Sequence, residues 1–348
     1  MKKLSLVSLV MIAAAGFFFG VLTDTPSAQA ADKVIELKLS THKPPIAAPV
    51  KAFKEWAQKI EEATGGRVKI DIYTAASLVK LEDIIPATQR GICDIGDLVI
   101  HRERDKYPLT TILNLPFLDL GDPETGMWIW MDLDKKYPQM ADEEKKFKTL
   151  YRHTSSAGQL HTAKKPARVP ADLKGMKIIA SGHEARVLKS IGASPLSISV
   201  PEWYSSLDRG LAEAQLIHYY GLYETKIYEH LPYHTNIGDG YAMLMEELLM
   251  SWDNWNKLPP DVQEIFDDLS PWLTRRVREL IDESIAKGIA VMKKEGQTFI
   301  VATPEEEKLW YEAALPLHKE WIDQLDAKGL PAKAIYEDAL RLKKLYAQ

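Results

Sequence analysis

The sequence holds a single cysteine, Cys93, in 348 residues. An intramolecular disulfide is therefore excluded. With no cysteine near the N-terminus, a lipid-anchored start is not expected either. Signatures of catalysis are also missing: there is no Gly-x-Ser-x-Gly elbow, no phosphate-binding loop, no His-Glu-x-x-His and no Cys-x-x-Cys. A basic excess is absent. Lys and Arg total 44 against 49 Asp and Glu, a net charge of −5, which is the wrong sign for a nucleic-acid partner. No internal sequence repeat, low-complexity tract or long linker stands out. What is present is ordinary for a globular protein, with 46% apolar and 27% charged residues. The length suits two domains better than one core.

Residues 1–30 read as an export signal. Lys2-Lys3 is the charged start, Leu4 to Leu22 is mostly apolar, and Ala28-Gln29-Ala30 is a small-x-small cleavage site. The rival reading is an uncleaved membrane anchor, since the apolar run approaches spanning length. The Pro26 to Ala30 tail favours cleavage near Ala30 and a periplasmic mature protein.

Beyond the signal, Val34 to Ser40 alternates apolar and polar residues and predicts a strand. Val50, Phe53, Trp56 and Ile60 share one helical face after Pro49. Val68 to Tyr73 is a second strand, Leu81 to Thr88 a second helix, and Ile92 to Ile95 a third strand. The loops Ser40–Lys43, Ala75–Lys80 and Gly96–Ile100 should line one wall of a crevice. Cys93 reads as a core residue within an apolar strand. Asp122 to Lys148 reads as surface helices with a stripe containing Trp128, Trp130 and Met131. The runs Asp142–Glu144 and Glu305–Glu307 read as solvated helix faces. Tyr241 to Met250 is expected to cross back as a strand. From Val262 to Met292 apolar residues keep helical spacing, with a kink or a new helix expected at Pro271.

The stretch from Lys165 to Tyr228 repeats the βαβαβ pattern. Met176 to Ala180 is a strand after the Pro170-Ala171-Asp172-Leu173-Lys174-Gly175 turn, and a helix through Ala185, Leu188 and Ile191 follows. Leu196 to Val200 is a second strand, Glu202 to Arg209 a helix, and Gln215 to Ile217 a third strand. Its motifs are Pro170-x-Asp172-Leu173-Lys174-Gly175-x-Lys177-Ile178, Gly192-Ala193-Ser194-Pro195, Glu202-x-Tyr204-x-x-Leu207 and Ile227-Tyr228-Glu229. In this order and spacing they resemble the DctP-like extracytoplasmic solute-binding proteins of TRAP transporters, from about Lys33 onward.

That resemblance implies an α/β, two-lobed periplasmic binding protein fold, with a ligand cleft between the lobes and a long C-terminal helix spanning both. The lobes would be 31–156 with about 245–284, and 157–244 with about 285–348. It also implies an arginine on the strand after the Asp-Leu-Lys-Gly turn that clamps a ligand carboxylate. Ile179 occupies that position here. A second family arginine falls near Gln159, and a pocket asparagine near Ile217. If the match shifts by a residue or two, Arg186 or Arg168 takes the role, and Arg152 could also reach the cleft. Tyr204 is expected to pack as part of a structural turn.

Crevice residues belong at strand ends and helix starts. His42, Gln159, Ile179, Ser181, His183, Trp203, Ile217, His218 and Tyr219 are the candidate ligand-binding residues on that basis. Each is as readily structural as ligand-binding. Asp97 and Asp239 fall near the mouth, with surface solvation as their default. His230 and His234 have metal-binding spacing, but Pro232 breaks any helix between them, so neither a metal nor a cofactor is expected. The expected function is a monomeric receptor delivering a small organic solute to TRAP membrane subunits, without catalysis. The alternatives are a receptor for a sensor protein, or a periplasmic enzyme on the same scaffold. With Ile179 and Ile217 in place of polar anchors, the ligand is expected to carry a sizeable apolar part.

Overall fold

The computed structural model describes residues 34–238 and 240–346; the expected signal, residues 1–30, and Asp239 lie outside them. In the first part of the chain, β1 (Ile35–Ser40), α1 (Ala48–Ala63), β2 (Val68–Tyr73), α2 (Ile84–Gln89) and β3 (Ile95–Val99) form the expected βαβαβ unit, with β1 parallel to both β2 and β3. Helix α1 buries Val50, Phe53, Trp56 and Ile60, the face read from the spacing. The third strand starts where the sequence reading ended it. Residues 92–94 are bends because Asp94 is pinned beside β1. Its N–H donates to the Lys38 carbonyl, and its carboxylate accepts from the Lys38 N–H at 2.8 Å and from Asn254 Nδ2 at 3.0 Å. Cys93 is buried in this bend rather than in a strand, 3.4 Å from Thr88 Oγ1.

A 3-10 turn over Ile100–Arg102 follows β3. Next come α3 (Pro123–Lys136), capped by Asp122, then α4 (Pro138–Glu144) and β4 (Phe147–Thr154). The Asp142–Glu144 run is not a solvated face. Glu143 is buried and accepts the Leu109 and Thr110 N–H groups at 2.7 and 3.0 Å, tying down the start of a 3-10 segment. Glu144 is buried beneath Trp130 Nε1 and the Arg152 guanidinium. Trp130 is buried, whereas Trp128 and Met131 are exposed.

The second part runs β5 (Gln159–Thr162), β6 (Lys177–Ile179), α5 (Gly182–Ser190), β7 (Ser194–Leu196), α6 (Trp203–Asp208), β8 (Ala214–Ile217), α7 (Tyr219–Glu224) and β9 (Tyr233–Asn236). Strands β7, β6 and β8 are parallel neighbours in that order. Strand β7 ends at Leu196, because Val200-Pro201-Glu202 turns the chain into α6. Tyr204 is exposed, although its ring meets His230 edge to face with centroids 4.6 Å apart and its hydroxyl donates to Glu229 at 2.6 Å.

The chain then returns as β10 (Met245–Ser251), four residues later than expected, and inserts antiparallel between β3 and β4. It continues through α8 (Trp252–Trp255), α9 (Pro260–Lys294), β11 (Thr298–Val301), α10 (Pro304–Asp326) and α11 (Ala332–Tyr346). Two sheets result, ordered β2-β1-β3-β10-β4 and β11-β9-β5-β8-β6-β7. The connections between them run side by side: Ser155 N–H donates to the Leu244 carbonyl and Tyr241 N–H to the Gly158 carbonyl. Gly240 sits there at φ +106°, and a Cβ on it would lie 2.8 Å from the Gly158 oxygen.

Helix α9 is unbroken through Pro271, contrary to the expected kink or restart. The proline lies on an exposed face, where water can satisfy the carbonyl one turn back that loses its N–H partner. Phe266, Leu273, Val277 and Leu280 of α9 enter the core shared with α1, while Met292 packs with Ile179, Ile217 and Leu222. One helix therefore serves the cores of both sheets. Helix α10 does likewise, with Trp310 and Ala314 against the second sheet's core and Trp321 and Leu325 among residues of α3 and α11. The Glu305–Glu307 run opens α10, where Glu306 forms a capping box with Thr303 and pairs with Arg168.

Candidate binding cleft

The C-terminal ends of β1, β3 and β4 and the start of β10 converge on one wall. Lys43, just past β1, donates to Asp97 Oδ2 of β3 at 2.7 Å and lies 2.8 Å from Glu246 Oε1 of β10. Thr41 Oγ1 donates to the same Asp97 oxygen at 2.5 Å. All three charged groups are buried, Asp97 to 1% exposure, so it is not the solvated residue expected from sequence. Burial alone would push the Lys43 ammonium down, but Asp97 and Glu246 outweigh it and hold its pKa above the ordinary value. Burial raises the Glu246 carboxyl, and the like charge of Asp97 adds to it against the pull of Lys43. Each carboxylate keeps one oxygen, Asp97 Oδ1 and Glu246 Oε2, without a hydrogen-bond partner.

Three histidines feel the Lys43 charge, and a fourth, His101, feels two of them. Burial, then the Lys43 charge, takes His42 down to about 4, although its Nδ1 is 3.8 Å from Asp97 Oδ2. Burial takes His218 to about 4, helped by Lys43. His101 and His153 are held at about 3, mainly by burial and then by nearby cations. All four are neutral at physiological pH. Nδ1 of His42 and His101, Nε2 of His153, the Tyr151 hydroxyl and Ser40 Oγ are likewise buried without partners. Such groups cost roughly 1–3 kcal/mol each when left unmet, so a polar partner entering the cleft gains on this wall. Among the described residues, no three His, Cys, Asp or Glu side chains are placed to hold a metal ion.

The second wall differs. Ile179, Ile217 and Tyr219 are buried in one apolar cluster with Leu207 and Leu222, against which Leu196, Ile198 and Trp203 pack. Trp203 Nε1 donates to the Ile198 carbonyl at 2.9 Å, and the Tyr219 hydroxyl donates to Asn236 Oδ1 at 2.6 Å. Beneath them His161 Nε2 donates to the Ile217 carbonyl at 2.9 Å, its Nδ1 pairs with His234 Nδ1 at 2.8 Å, and His234 Nε2 meets Gln297. His218 stacks on Tyr220 at 4.2 Å.

Of the sequence candidates, His42 and His218 thus meet at the Lys43 triad, while Ile179, Trp203, Ile217 and Tyr219 share the apolar cluster. Gln159 fixes a turn, accepting the Ile237 N–H at 2.8 Å. Ser181 precedes α5 without a side-chain cap bond, and His183 lies in the first turn of that helix. The three substitute arginines are all engaged: Arg152 with Asp134, Glu144 and Glu247, Arg168 with Glu306, and Arg186 with Glu320. Lys43 and Asp97 lie in loops the sequence reading expected to line this wall, though not among its candidates, and His101, His153 and Glu246 escaped that reading. Placing the third strand three residues late would have put His101 and Arg102 at its C-terminal end, where crevice residues are sought.

A family description, bacterial extracellular solute-binding protein, family 7, matches residues 39–324. The C4-dicarboxylate-binding periplasmic protein DctP of Vibrio cholerae is 22% identical over 79% of this chain and 82% of its own length. A TRAP periplasmic solute-binding protein of Desulfovibrio salexigens superposes with a TM-score of 0.78 at 26% identity, over 91% of this chain and 97% of that one. A TRAP solute-binding protein of Rhodoferax ferrireducens, solved with copurified benzoate, gives 0.79 at 20% identity, over 90% and 99%. With the two-sheet fold and its cleft, the match over most of the chain places this protein in family 7 of the bacterial extracellular solute-binding proteins, the DctP family of TRAP receptors.

Proposed function

We propose that the mature chain, cleaved near Ala30, works in the periplasm as a monomer that closes on a small organic acid and hands it to TRAP membrane subunits, with no catalysis of its own. The observation that carries this reading is the family match, joined to a cleft wall whose buried polar atoms lack partners. Benzoate is what the Rhodoferax receptor carries, and a C4 dicarboxylate is named for the Vibrio relative. The apolar wall around Ile179 and Ile217 suits an acid with an apolar body, because aliphatic and aromatic surfaces bury such groups well. The lobes we propose divide at the paired connections near residues 155–158 and 241–244, with α9 as the common spine. Residues 31–156 and about 245–284 form one lobe, and 157–244 with the chain from about 285 form the other, except that α11 sits on α3. Closure follows from a higher affinity of the ligand for the closed state.

The test is a thermal-shift and calorimetric screen of the mature protein with benzoate, mandelate, succinate and glucuronate, beside mass spectrometry of whatever copurifies. At least one small acid should raise the melting temperature and bind with micromolar or better affinity. No binding across the panel, with no acid copurifying, would overturn the reading.

A further inference from the structure

We infer that Arg102, at the end of the 3-10 turn after β3, holds the ligand's carboxylate with Arg104 behind it, so that the anchor stands on the first sheet and not on β6. This rests on the receptor reading above. Arg102 is exposed and, among the described residues, makes no hydrogen bond or ion pair. The arginines that the sequence offered for this role are already paired with carboxylates. Lys43 is also unavailable, held between Asp97 and Glu246. Arg104 has only a long bond from Nε to the His101 carbonyl, 3.4 Å, and no carboxylate.

Arg102 stands just past the end of β3, where crevice residues are sought. Its charge is felt by His42 and His101 on the first sheet and by Glu184 on α5 of the second. Burial lowers the Arg104 guanidinium, and the charges of Arg186 and Arg102 add to it against Tyr241. Glu184 is the acid of the second wall on which the Arg102 charge acts, and it does not neutralise Arg102. Burial pushes its carboxyl up to about 8 against the pull of Arg102, and its Oε1 has no partner. At neutral pH that carboxyl is mostly protonated, and among the described residues neither Arg102 nor Arg104 has a carboxylate partner. A carboxylate fits this setting, since it can accept two parallel N–H bonds from one guanidinium fork. His42 and His101, on which the Arg102 charge acts, each keep a buried Nδ1 without a hydrogen-bond partner. The ligand's apolar body would then face the Ile179, Ile217 and Trp203 cluster.

Arg102 could instead be a latch that draws Glu184 across the cleft. The experiment separates the two. Arg102→Gln, Arg102→Lys and Glu184→Gln are made in the mature chain, and each is checked for unchanged circular dichroism. Binding of the acids that stabilise the wild type is compared with binding of their uncharged amides, benzamide for benzoate. The expected result is that Arg102→Gln weakens the acid by about thirtyfold or more, the scale of truncating one partner of a desolvated charge pair. It should leave the amide within about threefold, and Arg102→Lys should recover part of the loss. Equal acid affinity in Arg102→Gln and wild type overturns the anchor while leaving the receptor standing. Equal losses for acid and amide in both Arg102→Gln and Glu184→Gln overturn it in favour of the latch. If no acid binds the wild type, the receptor reading fails and the anchor with it.

Discussion

The two walls of the cleft solve opposite problems with similar residues. Each holds buried histidines. On the second wall, every ring nitrogen of His161 and His234 has a neighbour within hydrogen-bond distance: each other, the Ile217 carbonyl and Gln297. On the first, His42, His101 and His153 each retain a buried nitrogen without a partner, beside carboxylates that each leave one oxygen unmet. A satisfied buried network fixes a core; an unsatisfied one is tolerated where something else completes it. The unmet groups on the first wall are what a ligand there would complete, and the second wall has fewer of them. On the reading proposed above, a chain with Ile179 at the expected clamp position would meet an acid with polar groups of the sheet opposite.

The sharpest way to break the comparison is to remove the cation of the first wall. Lys43→Met leaves Asp97 and Glu246 buried and facing each other without a counter-charge. Loss of one partner from such a group costs about 3–5 kcal/mol. Urea denaturation should show that loss at pH 7, with part of it returning below pH 5 as the carboxyls take up protons. A variant as stable as wild type would mean that the triad is solvated and the wall is not as dry as its burial implies.

A milder break puts the clamp back where the resemblance expects it. Ile179→Arg places a guanidinium at a position that is 4% exposed, among Leu207, Ile217 and Tyr219. No carboxylate stands in that cluster to receive it, so stability should fall by on the order of 3 kcal/mol, and native ligand binding should weaken. If Ile179→Arg instead tightens binding of succinate or benzoate with unchanged stability, the second wall is the anchoring wall after all and the contrast collapses.

How far the sequence reveals this arrangement depends on the distance over which its determinants act. Alternation along Ile35–Ser40 and the helical face of α1 are local, and both are read correctly. The long apolar periodicity likewise reveals α9, although Pro271 there suggests a break that does not occur. Asp97 and Glu143 look like surface acids because their partners, Lys43 and the Leu109–Thr110 backbone, lie 54 and 33–34 residues away. Nothing local signals that a strand 150 residues downstream will insert beside β3 and bring Glu246 with it. The missed anchor has a smaller cause. Asp94, held to Lys38 and Asn254, delays β3, and the strand-end position passes to His101 and Arg102.

The smallest effect expected is also the one that reads the first wall without touching its charges. His153 pairs across from Glu246, is 2% exposed, and stacks on Tyr151 with ring centroids 6.0 Å apart. Burial, then the charges of Arg278, Lys43 and His218, holds it at about 3, against 6.5 for an unfolded chain. Because its folded value is lowered, the unfolded state binds the extra proton first. Above pH 6.5 the group contributes nothing to the pH dependence; between 6.5 and about 3 it destabilises the fold as pH falls. At pH 5 its share is about 2 kcal/mol, from 1.36 kcal/mol for each unit between that pH and the unfolded value. His153→Gln removes the titration while keeping a polar side chain. Its unfolding free energy should therefore fall less than that of wild type between pH 7 and 5, by about that amount, while His42, His101 and His218 preserve the remaining slope. Parallel curves for the two proteins would mean that water already reaches His153, and that the open nitrogens of this wall mark solvation and not a place prepared for a ligand.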